Sequence, residues 1–113
     1  MFIPKSLKLK GYNIFPTAMK MINSGHGVQI LAKWPSDKVP NVSGGPLSDS
    51  YLFHSLHFHW GQSNSEGSEH TFNDQRYALE AHLVHYKSSY GSLLNATTKS
   101  DGIVVIGLIY QVI

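Results

Sequence analysis

The sequence contains no cysteine, few charged residues and no long apolar run. Without cysteine the chain can form no disulfide and offers no thiolate ligand, so any metal must be held by His, Asp or Glu. Only 14% of the 113 residues are charged, the net charge is +2, and no block of Lys and Arg occurs. This distribution argues against a nucleic-acid-binding surface. The longest apolar run, residues 103–110, has the length of a strand and is too short for a membrane-spanning helix.

A length of 113 residues allows one domain. The composition, with 42% hydrophobic and 12% aromatic residues, excludes a disordered chain. The first eight residues lack the apolar stretch of a secretory signal. Together with the absence of cysteine, this favours the cytoplasm. If the natural N-terminus is longer than in this sequence, the protein could instead be secreted or anchored to a membrane.

Frequent Gly, Pro, Asn and Ser divide the chain into short segments, a pattern typical of a mainly β fold. Residues 26–34 and 51–60 alternate polar and apolar side chains with the period of a strand. Residues 77–87 contain good helix formers, yet Glu80 and His82 would share one strand face, and we favour a strand there. The predicted strands are 26–34, 51–60, 77–87 and 102–113, and the predicted loops are 35–50, 61–75 and 88–101.

Seven histidines are present, and five of them fall between His54 and His82. His57 and His59 are two residues apart, so on a strand both rings project from one face and can reach one ion. On a helix the same spacing would point the rings apart. His82 is the candidate third ligand, because the preceding loop can return residues 77–87 antiparallel beside residues 51–60.

Three neutral imidazoles without a carboxylate would leave a zinc ion its full double charge. Such an ion lowers the pKa of a bound water to about 7 and keeps one coordination position open for that water. The site would therefore produce hydroxide at neutral pH, a nucleophile for a small electrophilic carbon. Glu80, two residues before His82, is placed to accept a hydrogen bond from that ring and to fix its tautomer.

A His-x-His pair alone also occurs at protein surfaces, at core edges and in other β-barrel metalloproteins such as the cupins. Spacing alone leaves these interpretations open. A cupin-like oxygenase or isomerase would use iron and an added carboxylate ligand rather than zinc held by three imidazoles.

Several motifs, in order along the chain, resemble the α-class, eukaryotic-type carbonic anhydrases. They are residues 43–47 (SGGPL), 56–61 (LHFHWG), 67–71 (GSEHT), 77–85 (YALEAHLVH) and 102–107 (GIVVIG), with 23–26 (NSGH) upstream. The resemblance implies part of a large, twisted, mostly antiparallel β-sheet whose conical cleft reaches zinc at its floor. The activity it implies is the reversible hydration of carbon dioxide to bicarbonate and a proton by a zinc-bound hydroxide.

The resemblance also assigns the metal site by position. His57, His59 and His82 match the three zinc ligands of the family. Glu80 matches the carboxylate that hydrogen-bonds the third ligand. Ser55 stands where the family usually has a Gln that supports the first ligand, and we expect its shorter hydroxyl not to reach, which would loosen that ligand.

Four further positions match functional residues of the family. His26 matches the proton-shuttle histidine, whose imidazole titrates near neutral pH. Glu69 matches the acidic residue that orients a threonine beside the reacting oxygen. Val84 and Val105 match walls of the apolar pocket that receives carbon dioxide.

The chain departs from the family in length. We expect residues 1–113 to be a single incomplete domain, with the resemblance strongest over residues 23–110. The family's Leu-Thr-Thr-Pro segment, which supplies the threonine that Glu69 would orient, does not occur here. Low activity of this chain is therefore expected, and a catalytically inactive, carbonic anhydrase-related binding module is the alternative. The remaining histidines of the cluster are assigned to structure or surface: His54, His70 and His85.

Overall fold

The computed structural model describes residues 6–23, 27–36, 38–61, 67–68, 70–71 and 75–111. Within these residues seven strands form one antiparallel sheet, which confirms the predicted mainly β fold. The strands are β1 (Leu7–Lys10), β2 (Ala18–Asn23), β3 (Val28–Lys33), β4 (Asn41–Gly44), β5 (Tyr51–Trp60), β6 (Leu79–Lys87) and β7 (Ile103–Tyr110). A 3-10 turn spans Ser88–Tyr90, and the helix α1 spans Leu93–Ala96. No helix in the described ranges is long and apolar enough to cross a membrane.

Four of these strands, β3, β5, β6 and β7, occupy the four segments predicted to be strands. Residues 77–87 are therefore not helical, although they contain good helix formers. β6 pairs with β5 along one edge and with β7 along the other, so both edges of its backbone are satisfied within the sheet. This pairing outweighs a helix propensity of a few tenths of a kcal/mol per residue, which is about what separates these side chains.

Two loop predictions are wrong in detail. The segment 35–50 contains β4, and the segment 88–101 contains the 3-10 turn and α1. β4 has only four residues, too few for a visible alternation, and it forms because it pairs with both β1 and β5. Ser92 caps the start of α1: its hydroxyl accepts a hydrogen bond from the backbone N–H of Asn95 (3.2 Å), a local signal of helix start.

β5 is the central strand of the sheet. One edge pairs with β6, while the other pairs with β4 near Tyr51 and with β3 between Ser55 and Phe58. β7 pairs with β6 and has no second partner among the described residues. Among the described residues, β7 is therefore an edge strand of the sheet.

A bulge in β5 changes which face each side chain occupies. Phe53 pairs with His85 and Ser55 pairs with Val84, so His54 is the extra residue between them. Because neighbouring residues of β6 point to opposite faces, Phe53 and Ser55 also point to opposite faces. The bulge thus sends Phe53 toward the core and Ser55 toward the face that carries His57.

The core lies on the face opposite His57 and includes an aromatic cluster. His85 is fully buried there, and its Nε2 accepts a hydrogen bond from the Tyr12 hydroxyl. The Phe53 ring packs edge-on against Tyr12, Trp34 and His85, with centroids 5.8–6.3 Å apart. His85 therefore has a structural position in the core, on the face opposite His82.

Candidate metal centre

Strands β5 and β6 bring three imidazoles to one face of the sheet. His57 and His59 lie two residues apart on β5, and His82 is the residue directly opposite His57 on β6. The rings of His59 and His82 have centroids 4.7 Å apart. Directly opposed residues of an antiparallel pair share a face, so the register places the three predicted ligands side by side.

Ser55 contacts the ring of His57. Its hydroxyl oxygen lies 3.1 Å from His57 Nε2, although the sequence predicts that a serine is too short to reach. That prediction is wrong, because Ser55 precedes His57 by two residues on the same face. The Gln29 amide nitrogen lies 3.5 Å from the same ring nitrogen.

The surroundings of His57 favour its neutral form. Burial lowers the pKa of His57, and positive charge on the neighbouring rings of His59, His82 and His54 lowers it further. A neutral imidazole is the form that binds a metal, since coordination needs the lone pair that protonation would occupy.

Glu80 is fully buried and bonded to two histidine rings. Its Oε2 contacts His82 Nε2 and lies 2.6 Å from His70 Nδ1, while its Oε1 accepts the backbone N–H of His70 (2.8 Å). With Nε2 of His82 directed at the carboxylate, Nδ1 is the nitrogen that His82 can present to an ion. The predicted contact between Glu80 and His82 is therefore present.

The ionisation state of Glu80 follows from these bonds. Burial acts to raise the pKa of Glu80, but the hydrogen bonds from His70 and His82 outweigh it and lower the pKa to about 2. The side chain is thus a carboxylate at neutral pH, and it can accept a hydrogen bond from a protonated ring nitrogen of each histidine.

His70 has a larger part in this arrangement than the sequence predicts. Its side chain is 69% exposed, as expected of a surface residue, yet it holds Glu80 through both its ring and its backbone. The sequence feature that could have indicated this role is the position of His70 within the family motif of residues 67–71. The ligand atoms of His70, Glu80 and His82 all lie within 4.8 Å of one another.

This group of three is better described as hydrogen-bonded support than as a ligand set. Two ligands of one tetrahedral zinc stand roughly 3.3 Å apart, given bonds of about 2.0–2.1 Å. The His70 ring nitrogen lies only 2.6 Å from the Glu80 oxygen, which is a hydrogen-bond distance.

A close backbone approach fixes the segment that carries His70. A Cβ added to Gly67 would stand 1.6 Å from the carbonyl oxygen of Ala78, so only glycine fits. The backbone N–H groups of Gly67 and Ser68 both donate to the Tyr77 carbonyl, at 2.8 and 2.7 Å. The Tyr77 N–H in turn donates to the Ser68 hydroxyl at 2.8 Å, which docks residues 67–68 beside the start of β6.

Two predicted wall residues lie next to this group. Val84 on β6 is directly opposite Val105 on β7, on the same face as His82. Val105 is 49% exposed and borders a cavity of about 220 Å³ with His82 and Gly107. A Cβ added to Gly107 would lie 3.5 Å from Glu80 Oε2, so the glycine lies directly against the carboxylate.

Two other residues with predicted roles, His26 and Glu69, lie outside the described ranges.

The donor set fits zinc. Imidazole nitrogen is a preferred zinc ligand, and a carboxylate on the far nitrogen of a ligating ring is a common support. A second cavity, of about 250 Å³, borders His57 and His59 beside Gln29, so space opens on both sides of the three rings.

Two comparisons with known proteins point to one family. The profile of the family described as eukaryotic-type carbonic anhydrase matches residues 2–113. Carbonic anhydrase 1 of Mus musculus is 42% identical over 97 residues, which is 85% of this chain and 37% of that protein. The chain therefore spans well under half the length of this relative.

Proposed function

Because the chain belongs to the eukaryotic-type carbonic anhydrase family, we propose that it acts in the zinc-dependent, reversible hydration of carbon dioxide to bicarbonate and a proton. Residues 1–113 would form part of a single carbonic anhydrase domain. The observation that carries the proposal is the register between β5 and β6, which sets His57 opposite His82 with His59 beside them.

His57, His59 and His82 would hold the zinc ion. Bound there, zinc would supply the Lewis acidity that makes a water molecule nucleophilic at neutral pH. Glu80 contacts Nε2 of His82, the nitrogen that would not bind the ion, and so keeps the ring in one tautomer and orientation. Since this support is buried, water does not compete for it.

The substrate would lie against Val84 and Val105. Carbon dioxide is apolar overall, so a hydrocarbon wall next to the imidazoles binds it without offering a competing hydrogen bond. The position of Val105 beside His82 supports this role. By family resemblance, Glu69 would orient a hydroxyl at the reacting oxygen, and His26 would carry the released proton to buffer.

The test is carbon dioxide hydration by the zinc-loaded chain, followed by stopped flow with a pH indicator. We expect a zinc-dependent rate above that of buffer, which His82→Ala abolishes. A chain that holds zinc through its three imidazoles and gives no rate would contradict catalysis and favour the inactive binding module. If His26 carries protons, His26→Ala should lower the rate and added imidazole buffer should restore it.

A further inference from the structure

Strand β7 differs from the other edge strands of the sheet because it carries no charge. Among the described residues, β1 pairs only with β4, β2 only with β3, and β7 only with β6. β1 carries Lys8 and Lys10 and β2 carries Lys20, and lysines on an edge oppose pairing with another chain. β7 has neither a charged residue nor a proline over its eight residues. Two of the edges are thus protected against a further strand, whereas β7 is not.

The backbone of β7 presents a regular row of hydrogen-bonding groups at this edge. Across the β6–β7 pair, the Lys87 N–H donates to the Gly102 carbonyl at 2.8 Å. In an antiparallel pair, successive residues turn their backbone groups alternately toward the partner strand and away from it. Gly102 faces β6, so the residues of β7 at odd positions direct their N–H and C=O groups outward. These outward-facing residues are Ile103, Val105, Gly107 and Ile109.

We propose that a second copy of this chain occupies this edge, with β7 paired antiparallel to the β7 of the other copy about a two-fold axis at Ile106. The axis is perpendicular to the sheet, so the two sheets become one continuous sheet. Ile103 then lies opposite Ile109 of the other copy, and Val105 lies opposite Gly107. Each of the four opposed pairs makes two hydrogen bonds, about eight in all, which is within the number typical of a specific interface.

The side chains of the two strands fit this register. On the core face, Ile106 meets its own counterpart on the axis. On the opposite face, Ile103 meets Ile109, and Ile103 is 41% exposed in the single copy, so the pairing covers apolar surface that now faces water. An axis at Gly107 would instead place glycine opposite glycine at the centre of the interface, where there would be no side chain to pack.

The second copy also bounds the cavity beside His82. Gly107 lies opposite His82 and borders the cavity of about 220 Å³ together with His70. Gly107 has no side chain that could close this cavity on the side of the free edge. In the dimer, Val105 of the second copy lies opposite Gly107 on the same face and forms the outer wall. The use of this wall in binding carbon dioxide rests on the proposed function, whereas the pairing of the strands does not.

Introduced cysteines report the register, because the chain has none of its own. Ile106→Cys places two cysteines on the axis as a pair without mutual hydrogen bonds, where the opposed Cα atoms are about 4.5 Å apart and a disulfide can form. Val104→Cys is the matched control on the same face. Its two cysteines are four residues apart along the paired strands, about 13 Å, which a disulfide does not span. A mixture of Val104→Cys with Leu108→Cys brings these two positions opposite each other.

We expect the wild-type chain to show twice its own mass of 12.6 kDa in multi-angle light scattering. Under mild oxidation we expect a disulfide-linked dimer for Ile106→Cys and for the mixture of Val104→Cys with Leu108→Cys, but none for Val104→Cys alone. Far-UV circular dichroism checks that each variant folds. A monomeric mass at every concentration up to the solubility limit would overturn the proposal. Cross-linking of Val104→Cys as readily as Ile106→Cys would also overturn it, because it would show association without a fixed register.

Amide hydrogen exchange gives a second readout in the unmodified chain. The amides of Val105 and Gly107 face outward, whereas the amide of Ile106 faces β6, and we expect all three to exchange slowly in the dimer. Exchange at Val105 and Gly107 as fast as at exposed amides, in a dimeric sample, would contradict the pairing. If the wild-type chain binds no zinc, the proposed function fails, while the mass, the cross-links and the exchange still decide whether β7 pairs with a second copy.

Discussion

The ring nitrogen Nδ1 of His70 lies 2.6 Å from the buried carboxylate oxygen Oε2 of Glu80, and the same oxygen contacts His82. A surface histidine and a proposed ligand therefore share one acceptor. The carboxylate therefore bonds an exposed ring on one side and the ring of a proposed zinc ligand on the other.

Replacing this acceptor tests its role. Glu80→Gln removes the charge and leaves one oxygen to accept from the rings that the carboxylate now bonds. We expect zinc affinity to fall by about 10- to 100-fold, the effect typical of losing such a partner. Asp101→Asn is the matched control, since Asp101 pairs with Lys87 at the surface (2.7 Å) and should leave zinc affinity unchanged. Equal affinities for all three proteins, measured by indicator competition, would remove Glu80 from the account.

Gly67 offers a test of how the His70 segment is docked. In Gly67→Ala the new Cβ would stand 1.6 Å from the Ala78 oxygen, so backbone must move. We expect the free energy of unfolding in urea to fall by at least about 2 kcal/mol. Gly91→Ala is the control: Gly91 has φ +79° but no atom within 4 Å of an added Cβ, so only about 1 kcal/mol of backbone strain is expected. A Gly67→Ala chain no less stable than Gly91→Ala would contradict this docking.

His85 makes the stability of the fold depend on pH. Burial lowers the pKa of His85 below its ordinary 6.5, against the opposing effect of carbonyl contacts from Val104 and Leu83. The unfolded chain therefore binds a proton that the folded chain excludes. Stability is fully present above pH 6.5 and is lost as the pH falls through the lowered pKa, by at most about 1.4 kcal/mol per pH unit.

The check is the free energy of unfolding between pH 7.5 and pH 5 for wild type and His85→Gln. Gln retains a partner for the Tyr12 hydroxyl but does not titrate. We expect the variant to lose less stability than wild type over this range. Parallel pH profiles of the two proteins would show that His85 does not titrate on unfolding.

The outer edge of β7 is expected to promote self-association. Its exposed apolar side chains include Leu108, 44% exposed, and no second strand pairs with β7 among the described residues. An unpaired, apolar edge invites pairing with another chain, and an added lysine opposes it. Leu108→Lys should therefore reduce the concentration-dependent increase in light scattering. Leu94→Lys, at an 80% exposed leucine of α1, should not, and equal effects would contradict an edge-specific mechanism.

The central strands, and the strand face that the three proposed ligands share, could be predicted from the sequence because the signals there are local. The spacing of His57 and His59 indicates a shared strand face, and Glu80 lies two residues from His82 for the same reason. Pairing β5 with β6 required only the assumption that the chain returns antiparallel after the loop between them. β4 was missed because its four residues form a strand only between two neighbours, which no local pattern shows.

Other features depend on contacts that the sequence does not display. The bulge at His54 puts Phe53 and Ser55 on opposite faces of the sheet and brings the His54 ring to Ser55. Alternation alone predicts that this ring points away. The contact between Ser55 and His57 likewise depends on packing within the sheet. The hydrogen bonds between His70 and Glu80 depend on the docking of the Gly67 segment.

Zinc retention tests the central claim most directly. The full chain is loaded with zinc, dialysed against metal-free buffer and analysed for metal per chain, beside His82→Ala and His85→Gln. Because His82 faces the two other imidazoles and His85 faces the core, we predict about one zinc per chain for wild type and His85→Gln, and none for His82→Ala. No retained zinc in the wild-type chain, or undiminished zinc in His82→Ala, would contradict the account.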